Sequence, residues 1–372
     1  MSYNRISWYQ FTEIENPEEL HQELKKACTT YHLLGRILIG NEGINGAVCG
    51  EKTNIEKYKE YLQVHFPQIT FREQQCQKNV FHKLVVRIRA EIVVLGQPVN
   101  MANRGKHISP QKLKEWYDEN KDFVIFDMRN AYEYDIGHFT KAIKVPTKTF
   151  KEVPHMINQL MHYKDKTIVM YCTEGIRCEK ASAYYKEQGF SDVYQLEGGV
   201  THFITEYPHG YWKGGLFMFD DRLVIPIASP ITTCHYCPKP SEKYYNCYNL
   251  ACDKLFIACD ICIKNHHNCC SPTCEQAPQK RNIPQQRILL GKVKNYYPQA
   301  HVALIETQNT IEQGTHIEIW GKITQSVTQI IQELRSDEGQ RITHAQKGMF
   351  ITFPCNEKVR KNDFVFLSEK LP

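Results

Sequence analysis

The first hundred residues alternate short apolar stretches, which are typical of strands, with longer amphipathic stretches, which are typical of helices. Asn16 stands immediately before the first helical stretch and is a suitable N-cap. The order strand, helix, strand, strand, helix, strand predicts a ferredoxin-like sandwich over residues 1–100. The predicted elements are strands over 7–11, 35–39, 46–49 and 84–88 and helices over 17–32 and 53–65.

Between residues 104 and 215, apolar runs and helical stretches alternate one by one, which indicates a parallel α/β sheet. Ligands of such sheets collect at the carboxyl ends of the strands. Asp127, Arg129 and Cys172 directly follow predicted strands, so we expect them at this edge. The predicted elements are strands over 123–126, 167–171 and 193–196 and helices over 110–117, 155–162 and 179–188.

Residues 172–177 form a Cys-x4-Arg loop between a predicted strand and a predicted helix. Backbone N–H groups of the loop and the helix N-terminus favour an anionic sulfur at Cys172, either a thiolate or a persulfide. A Cys-x5-Arg loop would be sized for a tetrahedral phosphate, whereas this shorter loop suits a single sulfur or a small planar group. We therefore predict that Cys172 and Arg177 are catalytic and that Thr173 and Gly175 support the loop.

Four further residues near this loop each have a functional and a structural interpretation. Asp127 and Arg129 either brace the loop or form a purely structural ion pair. Cys178 either resolves an oxidised or persulfidated Cys172 by forming a disulfide, or is packed and inert. We interpret His138 as a packed turn residue rather than an acid–base group.

Nine of the fifteen cysteines lie between residues 234 and 274, mostly in closely spaced pairs, within a segment predicted to span 216–278. Four pairs suit two tetrahedral zinc ions, because each structural site needs four ligands. An iron–sulfur cluster is the main alternative. We favour an interleaved arrangement, in which the first pair joins the third and the second joins the fourth, and a structural role for the metal. The predicted ligands are Cys234, Cys237, Cys247, Cys252, Cys259, Cys262, Cys270 and Cys274.

Residues 284–372 contain short strand-like stretches between turn residues, which predicts a small β-barrel. Residues 291–298 and 314–317 resemble the second domain of translation GTPases and the tail of U32-type peptidase-like proteins, which implies contact with RNA or with a protein. Basic residues beside Tyr296 and Tyr297 favour an RNA-facing stripe, with a solvated linker and core tyrosines as the alternative. The basic residues of this stripe are Lys280, Arg281, Arg287, Lys292 and Lys294.

Composition excludes some classes of protein and leaves others open. The formal net charge of +5 is mild and does not identify an anionic partner. Apolar runs are all much shorter than the roughly 20 residues of a membrane helix, so we expect no membrane segment. The first residues do not resemble an export signal, and clustered cysteines then indicate metal binding in a reducing cytoplasm.

Several motifs resemble known families. Residues 127–134, 137–139, 172–177 and 197–200 follow the order found in rhodanese domains. Over residues 1–278 the chain resembles the bacterial tRNA uridine hydroxylase family, whose N-terminal domain is acylphosphatase-like. This resemblance implies oxygen-dependent hydroxylation of C5 of the wobble uridine in the tRNA anticodon loop, giving 5-hydroxyuridine. The motifs that carry it lie at 35–46, 105–110, 171–182 and 217–222.

The resemblance raises further expectations about substrate and cofactors. The wobble base lies in a single-stranded loop, so aromatic side chains are expected to stack on it, although each also suits a protein core. The resemblance implies molecular oxygen as co-substrate, and the cysteine pairs predict zinc as the metal. No motif resembles a flavin, haem or facial-triad iron site, so the sequence does not explain how oxygen is activated. The aromatic candidates are Phe217, Phe219, Tyr211 and Trp212.

One position departs from the family, and two other functions stay open. Glu174 stands where the family usually has glycine, and its carboxylate opposes a thiolate unless it points outward or pairs with Arg177. A persulfide sulfurtransferase, using thiosulfate or a protein persulfide in tRNA thiolation or as a general rhodanese, is the main alternative. A catalytically inactive adaptor protein is the second alternative function. A homo-oligomer is also left open.

Overall fold

The computed structural model describes residues 2–145, 147–277, 288–321 and 324–368. The chain divides into two compact units, Met1–Gln279 and Lys280–Pro372. Across the described ranges, none of the helices has both the length and the apolar character that crossing a bilayer requires.

The N-terminal part of the first unit is a sheet with two helices packed on one face. Asn16 caps the first helix as predicted, because its side chain accepts a hydrogen bond from the backbone N–H of Glu19. The elements are β1 (Tyr3–Phe11), α1 (Pro17–Thr30), β2 (Leu34–Gly40), β3 (Gly43–Glu51), α2 (Lys52–His65), β4 (Arg72–Cys76) and β5 (Leu84–Ile88).

The strand order β4-β1-β3-β2-β5 corrects one detail of the prediction. The ferredoxin-like order is completed by β4, whereas β5, the strand predicted over 84–88, pairs in parallel with β2 at the opposite edge. Periodicity did not reveal β4, because none of the residues of this edge strand is fully buried.

The two faces of this sheet have different environments. Ile37 and Ile39 of β2 are fully buried in the core that α1 and α2 cover. Successive side chains of a strand point to opposite faces, so Arg36 and Leu38 lie on the other face, where Arg36 is exposed and Leu38 half-buried. That second face is available to form the wall of a site.

The middle of the first unit is a parallel sheet with the strand order β6-β11-β10-β7-β9. Its central strands are buried on both faces: Ile168 and Met170 belong to one core and Val169 and Tyr171 to the other. The elements are β6 (Lys106–Ile108), α3 (Pro110–Asp118), β7 (Val124–Asp127), α4 (Ala131–Ile136), β8 (Gly137–Phe139), β9 (Ile143–Lys144), α5 (Val153–Leu160), β10 (Thr167–Tyr171), α6 (Ile176–Glu187), β11 (Asp192–Leu196) and α7 (Gly199–Glu206).

The end of the first unit consists of short hairpin strands and two short helices around the cysteine-rich segment. Cysteine side chains make up much of its small core, which is consistent with a segment that depends on metal for its stability. The elements are β12 (Trp212–Gly214), β13 (Leu216–Phe217), β14 (Val224–Ile225), β15 (Tyr244–Asn246), β16 (Leu255–Ile257), α8 (Asp260–Asn265) and α9 (Pro272–Glu275).

The second unit is β-rich, as predicted, and encloses its own apolar core. Its main sheet has the order β21-β20-β26-β17-β18-β25-β22-β23, and β19 pairs with β24. The strands are β17 (Leu289–Tyr297), β18 (Val302–Thr307), β19 (Ile311–Glu312), β20 (His316–Gly321), β21 (Gln325–Ile330), β22 (Leu334–Ser336), β23 (Arg341–Ile342), β24 (His344–Ala345), β25 (Phe350–Pro354) and β26 (Phe364–Leu367).

The predicted basic stripe lies only partly within the described residues. Lys280, Arg281 and Arg287 fall outside them. Lys294 forms an ion pair with Glu306 at 2.5 Å, and the ammonium group of Lys292 lies 5.6 Å from the centre of the Phe364 ring. Part of the predicted positive charge is therefore neutralised within the barrel.

Candidate active site

The Cys172 loop connects the end of β10 to the start of α6, at the carboxyl edge of the parallel sheet. Gly175 precedes the helix with φ of 105°, a conformation that other residues rarely adopt. A Cβ atom at this position would lie 2.8 Å from the Tyr9 hydroxyl oxygen. Glycine therefore permits both the sharp turn and the close approach of the N-terminal domain.

The Cys172 sulfur is held as an anion inside the protein. Cys172 is almost fully buried, and the backbone N–H of Gly175 donates a hydrogen bond to its sulfur at 3.1 Å. Burial raises the pKa of Cys172, but the Cys178 thiol, the Arg177 charge and backbone N–H donors outweigh it and lower the pKa to about 6. Cys172 is thus predominantly a thiolate at neutral pH, which makes it nucleophilic.

Cys178 packs in the same buried core as Cys172. It is fully buried on the first turn of α6, and burial together with the neighbouring Cys172 sulfur holds its pKa well above the usual range. The pair therefore consists of one thiolate and one neutral thiol. This arrangement is compatible with disulfide formation and equally with simple packing.

Arg177 is positioned by Glu133, a residue that the sequence analysis did not identify. The guanidinium donates to the two Glu133 carboxylate oxygens at 2.6 and 2.8 Å and to Thr173 Oγ1 at 2.9 Å. Thr173 in turn donates to Glu133 at 3.1 Å. The Asn130-x-x-Glu133 spacing of a capping box, which the structure contains, was the available signal.

Asp127 and Arg129 lie beneath the loop as a fully buried ion pair. Arg129 donates to Asp127 through Nε at 2.9 Å and through Nη2 at 2.6 Å, and Nη2 also donates to the Gly137 carbonyl at 2.6 Å. The Tyr171 hydroxyl donates to the same carboxylate at 2.5 Å. Because Tyr171 immediately precedes Cys172, this pair fixes the strand end from which the loop departs.

Glu174 points away from Arg177 and towards the N-terminal domain. Its Oε1 atom accepts hydrogen bonds from Arg5 at 2.9 Å and from Ser7 at 2.7 Å. Arg5 also contacts Asp220, which binds Arg222 at 2.5 Å. The carboxylate that sequence analysis placed in conflict with the thiolate is therefore compensated by a cation from β1.

A cavity of about 390 Å³ opens above Cys172, between the loop and the uncovered face of the N-terminal sheet. Arg36 and Lys151 add positive charge to its lining, and Phe219 adds an aromatic ring that is 51% exposed. The residues of this wall are far apart along the chain, so the residue order alone does not bring them together. Such a volume accommodates a small planar ligand.

The remaining sequence candidates lie away from the cavity. Phe217 and Trp212 are buried in the cores of the first unit, and Tyr211 stacks on Tyr117 with ring centres 4.2 Å apart. His138 stacks on Tyr134 and contacts its backbone carbonyl, which agrees with a packed turn residue.

Helix α6 also forms ion pairs with the last part of the N-terminal domain and with the residues that follow that domain. Glu179 accepts from Arg104 at 3.2 Å and contacts His107 at 3.1 Å. The ammonium group of Lys180 lies 2.7 Å from a carboxylate oxygen of Glu91. These partly buried ion pairs hold the Cys172 loop in a constant position relative to the cavity wall.

The cysteine-rich segment, which the structure describes completely from 234 to 274, contains two groups of four thiols that could hold metal ions. The sulfur atoms of each group lie within 4.8 Å of one another, in the interleaved arrangement that the sequence analysis favoured. Cys269 lies outside both groups. The groups are Cys234, Cys237, Cys259 and Cys262, and Cys247, Cys252, Cys270 and Cys274.

Comparison with protein-family models matches nearly the whole chain in four segments. The models are the UPF0176 acylphosphatase-like domain at residues 3–92, the rhodanese-like domain at 109–206, the rhodanese C-terminal domain at 213–275 and the peptidase family U32 C-terminal domain at 285–365. The last model covers the β-rich second unit.

Curated relatives match over most of their length. A tRNA uridine(34) hydroxylase of Chlamydia felis is 40% identical over 300 residues, which cover 77% of this chain and 91% of the relative. The enzyme of the same name from Chlamydia trachomatis serovar D is 41% identical, with 77% and 90% covered. A rhodanese-like domain protein from Staphylococcus aureus, known from its crystal structure, is 26% identical over 26% of this chain and 90% of its own, with a TM-score of 0.24.

Proposed function

Because the chain belongs to the tRNA uridine(34) hydroxylase family, we propose that it hydroxylates the wobble uridine of tRNA at C5, with molecular oxygen as co-substrate. The observation that carries this proposal is the cavity, in which the anionic Cys172 sulfur faces a space for a small planar ligand. The exposed Phe219 ring and the Arg36 charge suit a base and its phosphate.

Within this proposal, the loop residues have distinct roles. Cys172 is the reactive centre, and the Gly175 N–H and the Arg177 charge stabilise its anion. Glu133 and Thr173 hold Arg177, while Asp127 and Arg129 brace the preceding strand. The base enters unstacked from the single-stranded anticodon loop, which avoids opening a duplex.

The proposed reaction balances if the two neighbouring thiols act as the reductant. One oxygen atom replaces hydrogen at C5, and the other leaves as water, which requires two electrons and two protons. Oxidation of the Cys172 thiolate and the Cys178 thiol to a disulfide releases the two electrons and one proton, solvent supplies the second proton, and an external thiol then restores the pair. The packing of both cysteines in the same buried core supports this role for Cys178.

A single-turnover assay tests the function. Purified reduced protein, tRNA with an unmodified U34 and ¹⁸O₂ are expected to give 5-hydroxyuridine with one ¹⁸O atom and one Cys172–Cys178 disulfide per turnover. Mass spectrometry of nucleosides and peptides measures both products. Absence of labelled product, together with efficient sulfur transfer from thiosulfate to cyanide, would favour the sulfurtransferase alternative. Labelled product without the disulfide would leave Cys178 a packing residue.

We assign zinc to the two cysteine groups as a structural metal. Sulfur atoms at a tetrahedral zinc site, with bonds of about 2.3 Å, lie about 3.8 Å apart. Here the Cys237–Cys259, Cys252–Cys270 and Cys270–Cys274 separations are 3.8, 3.6 and 3.9 Å. A cluster of several irons places metal and sulfide between its thiolates and needs wider spacing, so the geometry favours single ions.

The expected metal content is two zinc ions per chain, measured by elemental analysis of protein purified without added metal. Cys247→Ser removes one ligand and is expected to lower the content to about one ion and to destabilise the segment. Cys269→Ser is the matched control, because Cys269 is also buried in this segment but lies outside both groups. Iron in place of zinc would overturn the assignment.

We propose a cytoplasmic protein whose second unit adds an RNA contact. Truncation after Pro278 is then expected to weaken tRNA binding and to reduce its dependence on salt, by about 0.9 in the logarithmic slope for each lost phosphate contact. Cys172 of the truncated form is expected to be alkylated with the same low pKa as in the full chain, which shows that the first unit is still folded. Equal affinity and equal slope for both forms would instead point to a protein partner for the barrel, including a second copy of the chain.

A further inference from the structure

Glu174 presents one carboxylate oxygen to the protein and leaves the other available. Both Arg5 and Ser7 donate to Oε1. Within the described residues Oε2 has no hydrogen-bond partner, and it is not among the atoms sealed from solvent. The residue lines the cavity beside Cys172. A free acceptor therefore faces the place that the base is proposed to occupy.

The carboxylate is also ionised in this position. Burial raises the pKa of Glu174, but the charge of Arg5 and the hydrogen bonds from Ser7 and Arg5 outweigh it and keep the pKa below its usual range. Arg36, which also lines the cavity, is exposed and makes no ion pair within the described ranges. The cavity thus offers a ligand an anionic acceptor at Glu174 and, among its cationic side chains, an Arg36 that has no ion-pair partner in the described ranges.

We propose that Glu174 Oε2 accepts the N3–H of the substrate uracil and that Arg36 donates to a neighbouring exocyclic oxygen. This inference rests on the proposed function and names a specificity-determining residue within it. Glu174 lies two positions after Cys172, so their Cα atoms are at most about 7 Å apart. A single pyrimidine ring can therefore contact the carboxylate at N3 while its C5–C6 edge faces the sulfur.

The hydrogen-bond pattern of this contact would favour uracil over cytosine. Uracil has a donor at N3 between two acceptor oxygens, whereas cytosine has an acceptor at N3 beside an amino group. A carboxylate that meets cytosine N3 leaves two buried acceptors facing each other, which is unfavourable.

Glu174→Gln tests the acceptor without changing the size of the side chain. Arg5 can only donate, so the amide oxygen takes the Oε1 position and the NH₂ group takes the Oε2 position. A donor then faces the N3–H of uracil. We expect kcat/KM for tRNA with U34 to fall by at least about tenfold. An unchanged value would contradict the proposal.

A methylated substrate separates recognition from general damage to the site. Wild-type protein is expected to prefer U34 over N3-methyluridine at the same position by at least about tenfold, in binding and in turnover, and Glu174→Ala is expected to bring this ratio near one. Asp220→Asn is the matched control, because it removes an anion from the same Arg5 network but does not line the cavity. Its ratio should equal that of the wild type.

The proposed reaction and the proposed role of Glu174 are contradicted by different results. If the wild type forms no hydroxylated product, the proposed reaction is wrong, and the binding ratio alone still tests Glu174. If the wild type does not discriminate against N3-methyluridine, or if Glu174→Ala keeps the wild-type ratio, Glu174 only compensates Arg5 and the inference is wrong.

Discussion

Replacing Cys172 by serine is expected to abolish hydroxylation of U34, with a loss of at least about a thousandfold in kcat/KM. The hydroxyl of serine stays protonated at neutral pH, whereas the environment of Cys172 lowers the thiol pKa to about 6 despite burial. Mass spectrometry of nucleosides from tRNA treated with each protein measures the effect. Circular dichroism and zinc content are expected to be unchanged.

The pH dependence of the wild type provides an independent check. The thiolate is the reactive form, so kcat/KM is expected to rise with pH through about 6 and to level off above it. Cys355→Ser is the control, because Cys355 lies in the second unit and burial raises its pKa to about 12. A Cys172→Ser protein with normal activity would remove this cysteine from the mechanism.

Replacing Glu133 by alanine is expected to destabilise the first unit by about 3–5 kcal/mol and to abolish activity. The substitution leaves the Arg177 guanidinium buried without its counterion and removes an acceptor of Thr173. Burial by itself raises the pKa of Glu133, yet the charge and hydrogen bonds of Arg177 lower it, so the pair is ionised. The midpoint of urea unfolding, followed in the first unit, measures the loss.

The same helix supplies a matched control for this prediction. Asp135 forms an ion pair with Lys144 at 2.5 Å, but both side chains are substantially exposed. Surface ion pairs contribute at most about 1 kcal/mol, so Asp135→Ala is expected to change stability little and activity not at all. Equal losses for Asp135→Ala and Glu133→Ala would show that helix α4, rather than the buried pair, carries the effect.

The sequence by itself determined the local features of this protein. Apolar runs such as 167–171 specify buried strands, and Gly175 marks the turn at which Cys172 is presented. Four close cysteine pairs indicated metal binding, because ligands only a few residues apart readily meet at one ion. These features depend on neighbours along the chain, so their physical causes are visible in the residue order.

Only the tertiary structure decided which distant residues complete the site. Arg5 compensates Glu174 across 169 positions, and Glu133 reaches Arg177 across 44. The face of β2 that carries Arg36 became a cavity wall only because the N-terminal sheet packs over the loop. Charges and cavities are set by proximity in space, and local periodicity specifies which face of an element is buried but not what that face meets.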